Sequence, residues 1–366
     1  MTTIRRVQTQ RWPLRLKRAL HWGRGQRLAQ PEHVLVCVEL ADGARGIAEA
    51  PPRPGIYGET ADSIEAIIGQ ELAPRLLGQT VRSRQDLARL QRELTVIRNN
   101  HTARGALDLA LHSALAQSRG IPLAQLIDAT RPQIRLSSIV SSGAAEDVLQ
   151  EARATVDAGV RVLKVKVGVD AERDLTTLRT LRAEVGMDVT LYADANECFT
   201  AADAAARLAQ LAQLDLRWCE EPLPVTQLRE RAALRTASPL PLIADDSAFT
   251  LAELERELAH DSFDILNIKT ARNGFSEATA MEAAALAHGK GVMVGSQAGS
   301  LLGCLHALLF GAREAVAYPV EGSFFLRIED HYAGLLPLKH GVAQLADVEA
   351  ALAQIGADLL RRFGPR

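Results

Sequence analysis

Three carboxylates recur at one position of successive repeats: Asp194 in VTLYADAN, Glu220 in LRWCEEPL and Asp245 in LPLIADDS. Each closes a short apolar run, and 26 and then 25 residues separate them. A single acid at a strand end commonly serves as the N-cap of the following helix, and Glu221 and Asp246 suit that role. Three in consecutive repeats point elsewhere. Adjacent parallel strands lie ~4.8 Å apart, so three anions at neighbouring strand ends repel strongly unless a cation holds them. Hard oxygen ligands with positions left for water and substrate suit Mg²⁺, with Mn²⁺ as the alternative.

Lysines flank these acids. Lys164 and Lys166 alternate in RVLKVKVG and so share one face of a strand, while Lys269 lies near the end of DILNIKT. If the acidic strands stand between the two lysine strands, the amines of Lys166 and Lys269 face each other across a metal-bound substrate. That arrangement suits proton transfer on two faces of one carbon. Like-charge repulsion from Lys164 favours the neutral, basic form of Lys166.

The elements that must position these residues follow from periodicity. HVLVCVEL and RGIAEA alternate on either side of Asp42-Gly43, a hairpin signal. SIEAIIGQELAPRLL, RQDLARLQRELTVI and ARGALDLALHSALAQS then repeat apolar residues at helical spacing. Residues 1–130 therefore read as an α+β domain. From about residue 131 to 330, eight short apolar strands alternate with helices: IRLSSIV, RVLKVKVG, VTLYADAN, LRWCEEPL, LPLIADDS, DILNIKT, GVMVGS and EAVAYPVEG. Near-continuous apolar strands of this kind are covered on both faces. Eight βα units without a Gly-rich phosphate turn predict an α/β fold of the (β/α)-barrel type. Residues 331–366 end in a helical pattern and are expected to pack back on the first domain.

Composition narrows the function classes. The 366 residues are 47% hydrophobic and 23% charged, which excludes a disordered chain. Lys+Arg numbers 42 against Asp+Glu at 44, for a net charge of −2, and aromatic residues make up 4%. Neither a nucleic acid nor an anionic membrane is an expected partner. The four scattered cysteines (Cys37, Cys198, Cys219, Cys304) form no C-x-x-C pair and read as buried thiols. With no apolar run of the ~18 residues that span a bilayer, a cytoplasmic protein is expected.

The motifs KVK (164–166), DAN (194–196), EEP (220–222), ADDS (244–247) and NIKTARNG (267–274), in this order, resemble the enolase superfamily and its muconate-cycloisomerase subgroup. The resemblance covers nearly the whole chain and implies a modified, enolase-type barrel behind an α+β capping domain. It implies Asp194, Glu220 and Asp245 as metal ligands, Lys166 and Lys269 as the two bases, and Lys164 as a contact of the substrate carboxylate. Asn196 and the eighth-strand Glu321 are implied at the substrate. Capping-domain loops select substrates in this family, which singles out the segment with His21, Trp22 and Arg24, and Tyr57 in PGIY. Arg24 would meet a distal anionic group, and Trp22 would close over an apolar body. Beyond the seventh strand, GSQAGSLLG departs from the subgroup by placing Gly299 where a glutamate is common, with Ser296 and Gln297 just upstream. Dipeptide epimerases resembling this family carry an acidic pair on the eighth strand, whereas YPVEGSFF supplies Glu321 alone. His306 reads as a satisfied core histidine.

These residues predict an isomerase that removes the proton α to a carboxylate through an enediolate, a chemistry that the handling of such sites by a Lys base and Mg²⁺ exemplifies. It would be a racemase or epimerase of an amino-acid derivative or a muconate-type cycloisomerase. A lyase using the same intermediate, dehydrating a hydroxy or imino acid or forming o-succinylbenzoate, stays open. The expected partner is a small carboxylate substrate, and the resemblance implies a homo-oligomer.

Overall fold

The computed structural model describes residues 2–22, 26–141, 144–329 and 332–364. The chain opens with β1 (Thr2–Pro13), followed by a small hairpin of β2 (Leu20–Trp22) and β3 (Gln26–Leu28). The alternating segments around Asp42-Gly43 form β4 (Glu32–Leu40) and β5 (Arg45–Ala50), and Gly43 turns the chain with φ +88°. With β6 (Thr80–Val81) these strands make an antiparallel sheet in the order β5-β4-β1-β6.

The helix His101–Arg119 carries the third amphipathic stretch and is buried along most of its length. It is covered on one side by β4 and β5 and on another by the helix Thr270–Ala287. Gly105 makes this possible, because a Cβ there would collide with the Ala271 carbonyl. Backbone therefore meets backbone where the two domains join.

After β7 (Gln133–Arg135) come seven parallel strands: β8 (Ser138–Val140), β9 (Val162–Lys166), β10 (Thr190–Asp194), β11 (Leu216–Glu220), β12 (Leu242–Ala244), β13 (Ile265–Ile268) and β14 (Gly291–Val294). They lie in sequence order in one curled sheet. The expected eighth strand is absent as a strand. EAVAYPVEG instead makes scattered backbone bonds to both edges: Ala317 and Glu321 donate to Val292 and Val294 of β14, while Val320 donates to Arg135 and accepts from Ser137. Pro319 has no N–H to give, so a regular ladder cannot run through it. The segment closes the barrel without becoming a full stave.

β15 (Val342–Gln344) pairs antiparallel with β7. The helix Leu345–Leu360 then packs on β5 and on the helix Leu301–Gly311. Arg45 of β5 fastens it by donating to the Leu360 and Phe363 carbonyls at 3.0 and 2.9 Å. The helix LLGCLHALLFG is apolar all round and accordingly buried. Inside the barrel, Val162, Tyr192, Ile243, Ile265 and Met293 form a separate plug with Trp218 and Tyr318. This plug raises a floor under the strand ends. Among the described residues no helix is long and apolar enough to cross a membrane.

Candidate active site

Strand register brings the acids and lysines together. Lys166 on β9, Asp194 on β10 and Glu220 on β11 are successive partners across the sheet, so they occupy one rung at the strand ends. Glu220 pairs with Ile243 of β12, and Asp245 follows two residues later, just beyond that strand. Lys269 comes directly after β13. Lys164 lies two residues before Lys166, on the same face, opposite Tyr192.

The backbone turns sharply as it leaves these strands. Asn196, Glu221 and Ala298 have φ values of 41°, 42° and 54°, a left-handed conformation that costs a non-glycine residue about 1 kcal/mol or more. Left-handed backbone thus occurs beside the charged groups, as it also does away from them at Asp128, Asp215 and Asp261. The Glu221 side chain reaches across to the segment after β12, where it accepts from the amides of Asp245 and Ser247, both at 2.9 Å, and it pairs with the buried Arg231. Glu221 thus fixes the direction of Asp245 and does not cap the helix after its own strand, since Leu228–Ala237 starts at Gln227 without a side-chain cap; Asp246 likewise leaves the cap of Leu251–Ala259 to Thr250.

Every strand-end acid is buried against a lysine. Lys164, 2% exposed, reaches Glu220 at 2.6 Å and Asp194 and Glu321 at 2.9 Å. Lys166 donates to Asp194 Oδ2 at 2.6 Å and to Asn196 Oδ1 at 2.8 Å. Lys269 donates to Asp245 Oδ2 at 2.5 Å. Burial works against the Lys164 and Lys269 ammoniums, but the surrounding carboxylates outweigh it and hold both above the ordinary lysine value. Asp194 is likewise penalised by burial, yet Lys164 and Lys166 pull its carboxyl below the usual range. Glu220 goes the other way. Burial and the neighbouring Asp194, Glu321 and Asp245 outweigh Lys164 and hold it well above an ordinary glutamate.

Among the described residues no three His, Cys, Asp or Glu side chains converge on a common ion position, since each acid is drawn onto a lysine. The donor chemistry nevertheless fits a hard divalent cation. Asp194, Glu220 and Asp245 offer only oxygen, Glu220 carries more negative neighbours than one lysine satisfies, and Asp245 Oδ1 is buried with no hydrogen bond. Arg272, fully buried, lies 3.3 Å from that oxygen and donates to the Asp245 carbonyl.

The remaining expected residues separate into groups. Asn196, Ser296, Gln297 and Glu321 line one small cavity of about 70 Å³ with Lys164, Lys166 and Lys269. Glu321 is fully engaged, accepting from Lys164, Tyr192 and the Ser296 amide. Tyr57 does not line that cavity. Its ring packs edge-on against Phe249 at 5.3 Å, its buried hydroxyl lies against the Arg272 guanidinium, and burial pushes it up to about 12. Its neighbour Ile56 lines the cavity instead. Arg24 and the Trp22 side chain lie outside the described residues. A larger cavity of about 380 Å³ shares Lys166 and extends to His21, Asp147 and Asp170. His306 is in the core, stacked edge-on to Phe275, but its ring nitrogens have no hydrogen-bond partner, so it is buried without being satisfied.

Sequence reasoning missed Arg53. It stands in PPRPG after β5, is 5% exposed, and lines the cavity beside the lysines. Nothing in a Pro-rich loop distinguishes a cavity arginine from a solvated one.

Fold and site together define a capped α/β barrel equipped for acid–base chemistry beside a cluster of carboxylates. Family comparisons place it further. Residues 147–349 match the family described as enolase C-terminal domain-like, and residues 2–128 match the N-terminal domain of the mandelate racemase / muconate lactonizing enzyme family. The chain is 30% identical over 311 residues to the L-Ala-D/L-Glu epimerase of Bacillus subtilis, covering 83% of this chain and 84% of that one. The substrate-liganded structure of the B. subtilis epimerase superposes with a TM-score of 0.88 at 28% identity, over 93% of this chain and 96% of the other. A Mycobacterium smegmatis muconate lactonizing enzyme bound to muconolactone gives 0.87 at 30% identity, over 93% and 94%. A Cytophaga hutchinsonii dipeptide epimerase complexed with Mg and D-Ala-L-Val gives 0.84 at 25%, over 94% and 93%. The chain belongs to the enolase superfamily, and it is an isomerase of the subgroup that holds the muconate lactonizing enzymes and the L-Ala-D/L-Glu epimerases.

Proposed function

We propose that this chain is a Mg²⁺-dependent epimerase or racemase acting at the carbon α to a carboxylate of an amino-acid derivative, with dipeptides the first class to test. The observation that supports it most is the placement of Lys166 at the end of β9 and Lys269 just past β13, with Asp194, Glu220 and Asp245 at the ends of the three strands between. When bound by those three acids, the ion would draw negative charge from the substrate carboxylate and acidify the α-hydrogen. Lys166 and Lys269 then divide the proton transfer. One takes the proton from one face and the other returns a proton to the opposite face, which inverts the centre. Lys164 stays cationic, fixed by three carboxylates, and faces the charge that develops on the substrate oxygens. Dipeptides lead because the relatives from Bacillus subtilis and Cytophaga hutchinsonii are named for them.

The test is incubation with dipeptides and N-acyl amino acids in D₂O, with Mg²⁺ or with EDTA. We expect α-deuterium together with inversion, abolished by EDTA and in Asp194→Asn. Metal-independent turnover with borohydride trapping on Lys269 would replace this reading with Schiff-base chemistry. Loss of water from the substrate would replace it with the lyase.

A further inference from the structure

Beneath the strand-end charges, one hydroxyl of the barrel plug touches the acid that holds Lys164. Tyr192 is 1% exposed and is the register partner of Lys164 across β9 and β10, so both side chains point into the barrel. Its ring stands edge-on to Trp218 at 5.7 Å, and Trp218 stands edge-on to Tyr318 at 5.4 Å. This aromatic floor fixes the ring, and the ring carries its hydroxyl up to the charged tier. There the hydroxyl donates to Glu321 Oε1 at 2.8 Å, and Lys164 donates to the same oxygen at 2.9 Å. The Ser137 hydroxyl lies 3.4 Å from the phenol oxygen. With the phenol proton committed to Glu321, Ser137 is the donor of that pair.

The three carboxylates around Lys164 are not equivalent. Asp194 and Glu220 are shared with the proposed ion, whereas Glu321 comes from the closing segment. Its second oxygen accepts from the Ser296 amide at 2.9 Å. Three donors from three parts of the barrel therefore fix Glu321: Lys164 of β9, Tyr192 of β10 and the turn after β14. A carboxylate held in this way cannot follow the ammonium. Two donors on one oxygen also divide its pull.

We infer that Tyr192 is a positioning residue: by fixing Glu321 and sharing its Oε1, it keeps the Lys164 ammonium turned towards the substrate carboxylate. The inference rests on the proposed contact between Lys164 and that carboxylate, and it adds what holds the ammonium in place. Without the hydroxyl, Glu321 and Lys164 close on each other and the ammonium withdraws from the substrate. The loss falls most on the charge that develops on the substrate oxygens.

The test is calorimetric titration of the Mg²⁺-loaded enzyme with N-acetylglycine and its neutral counterpart, N-acetylglycinamide. The wild type binds the acid at least about tenfold more tightly than the amide. Tyr192→Phe keeps the ring and its contact with Trp218, binds the amide as before, and loses about threefold or more in affinity for the acid. Exchange of the α-hydrogens of N-acetylglycine in D₂O then shows kcat falling about tenfold while KM rises about threefold. Trp218→Phe loosens the same floor without touching the hydroxyl, so it lowers the thermal midpoint and keeps the acid-to-amide ratio. Should Tyr192→Phe not fold, Ser137→Ala, which removes the donor to the phenol, shifts the ratio in the same direction. Equal binding of acid and amide by the wild type, or an unchanged ratio in every folded variant, overturns the inference. So does an equal loss in Trp218→Phe, or a loss of Mg²⁺ affinity that accounts for the whole effect. The two readings fail separately. A shifted ratio without exchange removes the epimerase and keeps the positioning role; exchange without a shifted ratio does the reverse.

Discussion

Asp108 of the capping-domain helix caps a helix in the barrel, receiving Ser276 at both of its carboxylate oxygens. Oδ1 accepts from the Ser276 hydroxyl at 2.6 Å, and Oδ2 accepts from the amides of Phe275 and Ser276 at 2.6 and 2.9 Å. The helix Thr270–Ala287 is broken at Gly274 (φ 63°), where any Cβ would strike that carboxylate. A single turn, Thr270–Asn273, is thereby left between Lys269 and the cap. The capping domain therefore holds the element from which Lys269 projects.

Asp108→Ala should cost about 2–3 kcal/mol of stability, because buried amides lose a charged acceptor. Denaturant unfolding checks this. Loosening the turn should also slow proton transfer through Lys269 more than through Lys166, as read from exchange of the two stereoisomers. An unchanged midpoint and equal exchange rates would contradict the positioning role.

Glu321 is paired with Lys164 at 2.9 Å. It reaches Lys164 and Tyr192, whereas Lys164 bridges to Asp194 and Glu220. Glu321→Gln should lower kcat about tenfold while changing Mg²⁺ affinity less than about threefold. A large loss of Mg²⁺ affinity would make Glu321 part of the ion's own shell.

The clustering of acids and lysines at the strand ends was legible in the sequence because parallel register converts equal spacing along the chain into adjacency in space. Lys166, Asp194 and Glu220 fall on one rung for that reason. The barrel was legible from its apolar strands, except where Pro319 interrupts the last of them. Contacts between the domains were not. Arg53 and Asp108 each act on residues more than 160 positions away, and no periodicity encodes such a meeting. Glu321 was legible as an acid near the site, but its engagement by Lys164 and Tyr192 depends on the depth at which the closing segment sits.

Acid should destabilise the fold through its buried histidines. His306 is fully buried, and burial lowers it to about 4 from the usual 6.5. The unfolded chain therefore binds a proton that the folded chain refuses, so stability falls as pH drops from about 6.5 towards 4. At pH 5 this one group accounts for about 2 kcal/mol. His306→Leu should flatten the pH dependence of the thermal midpoint between pH 7 and 5. Parallel curves for the wild type and the variant would contradict the assignment.

Opposed lysines are the centre of the account, and exchange from each stereoisomer separately tests them most directly. In D₂O with Mg²⁺, Lys269→Ala should exchange the α-hydrogen of one antipode and Lys166→Ala that of the other, with neither variant inverting the centre. Exchange of the same antipode by both variants, or inversion surviving in either, would contradict it.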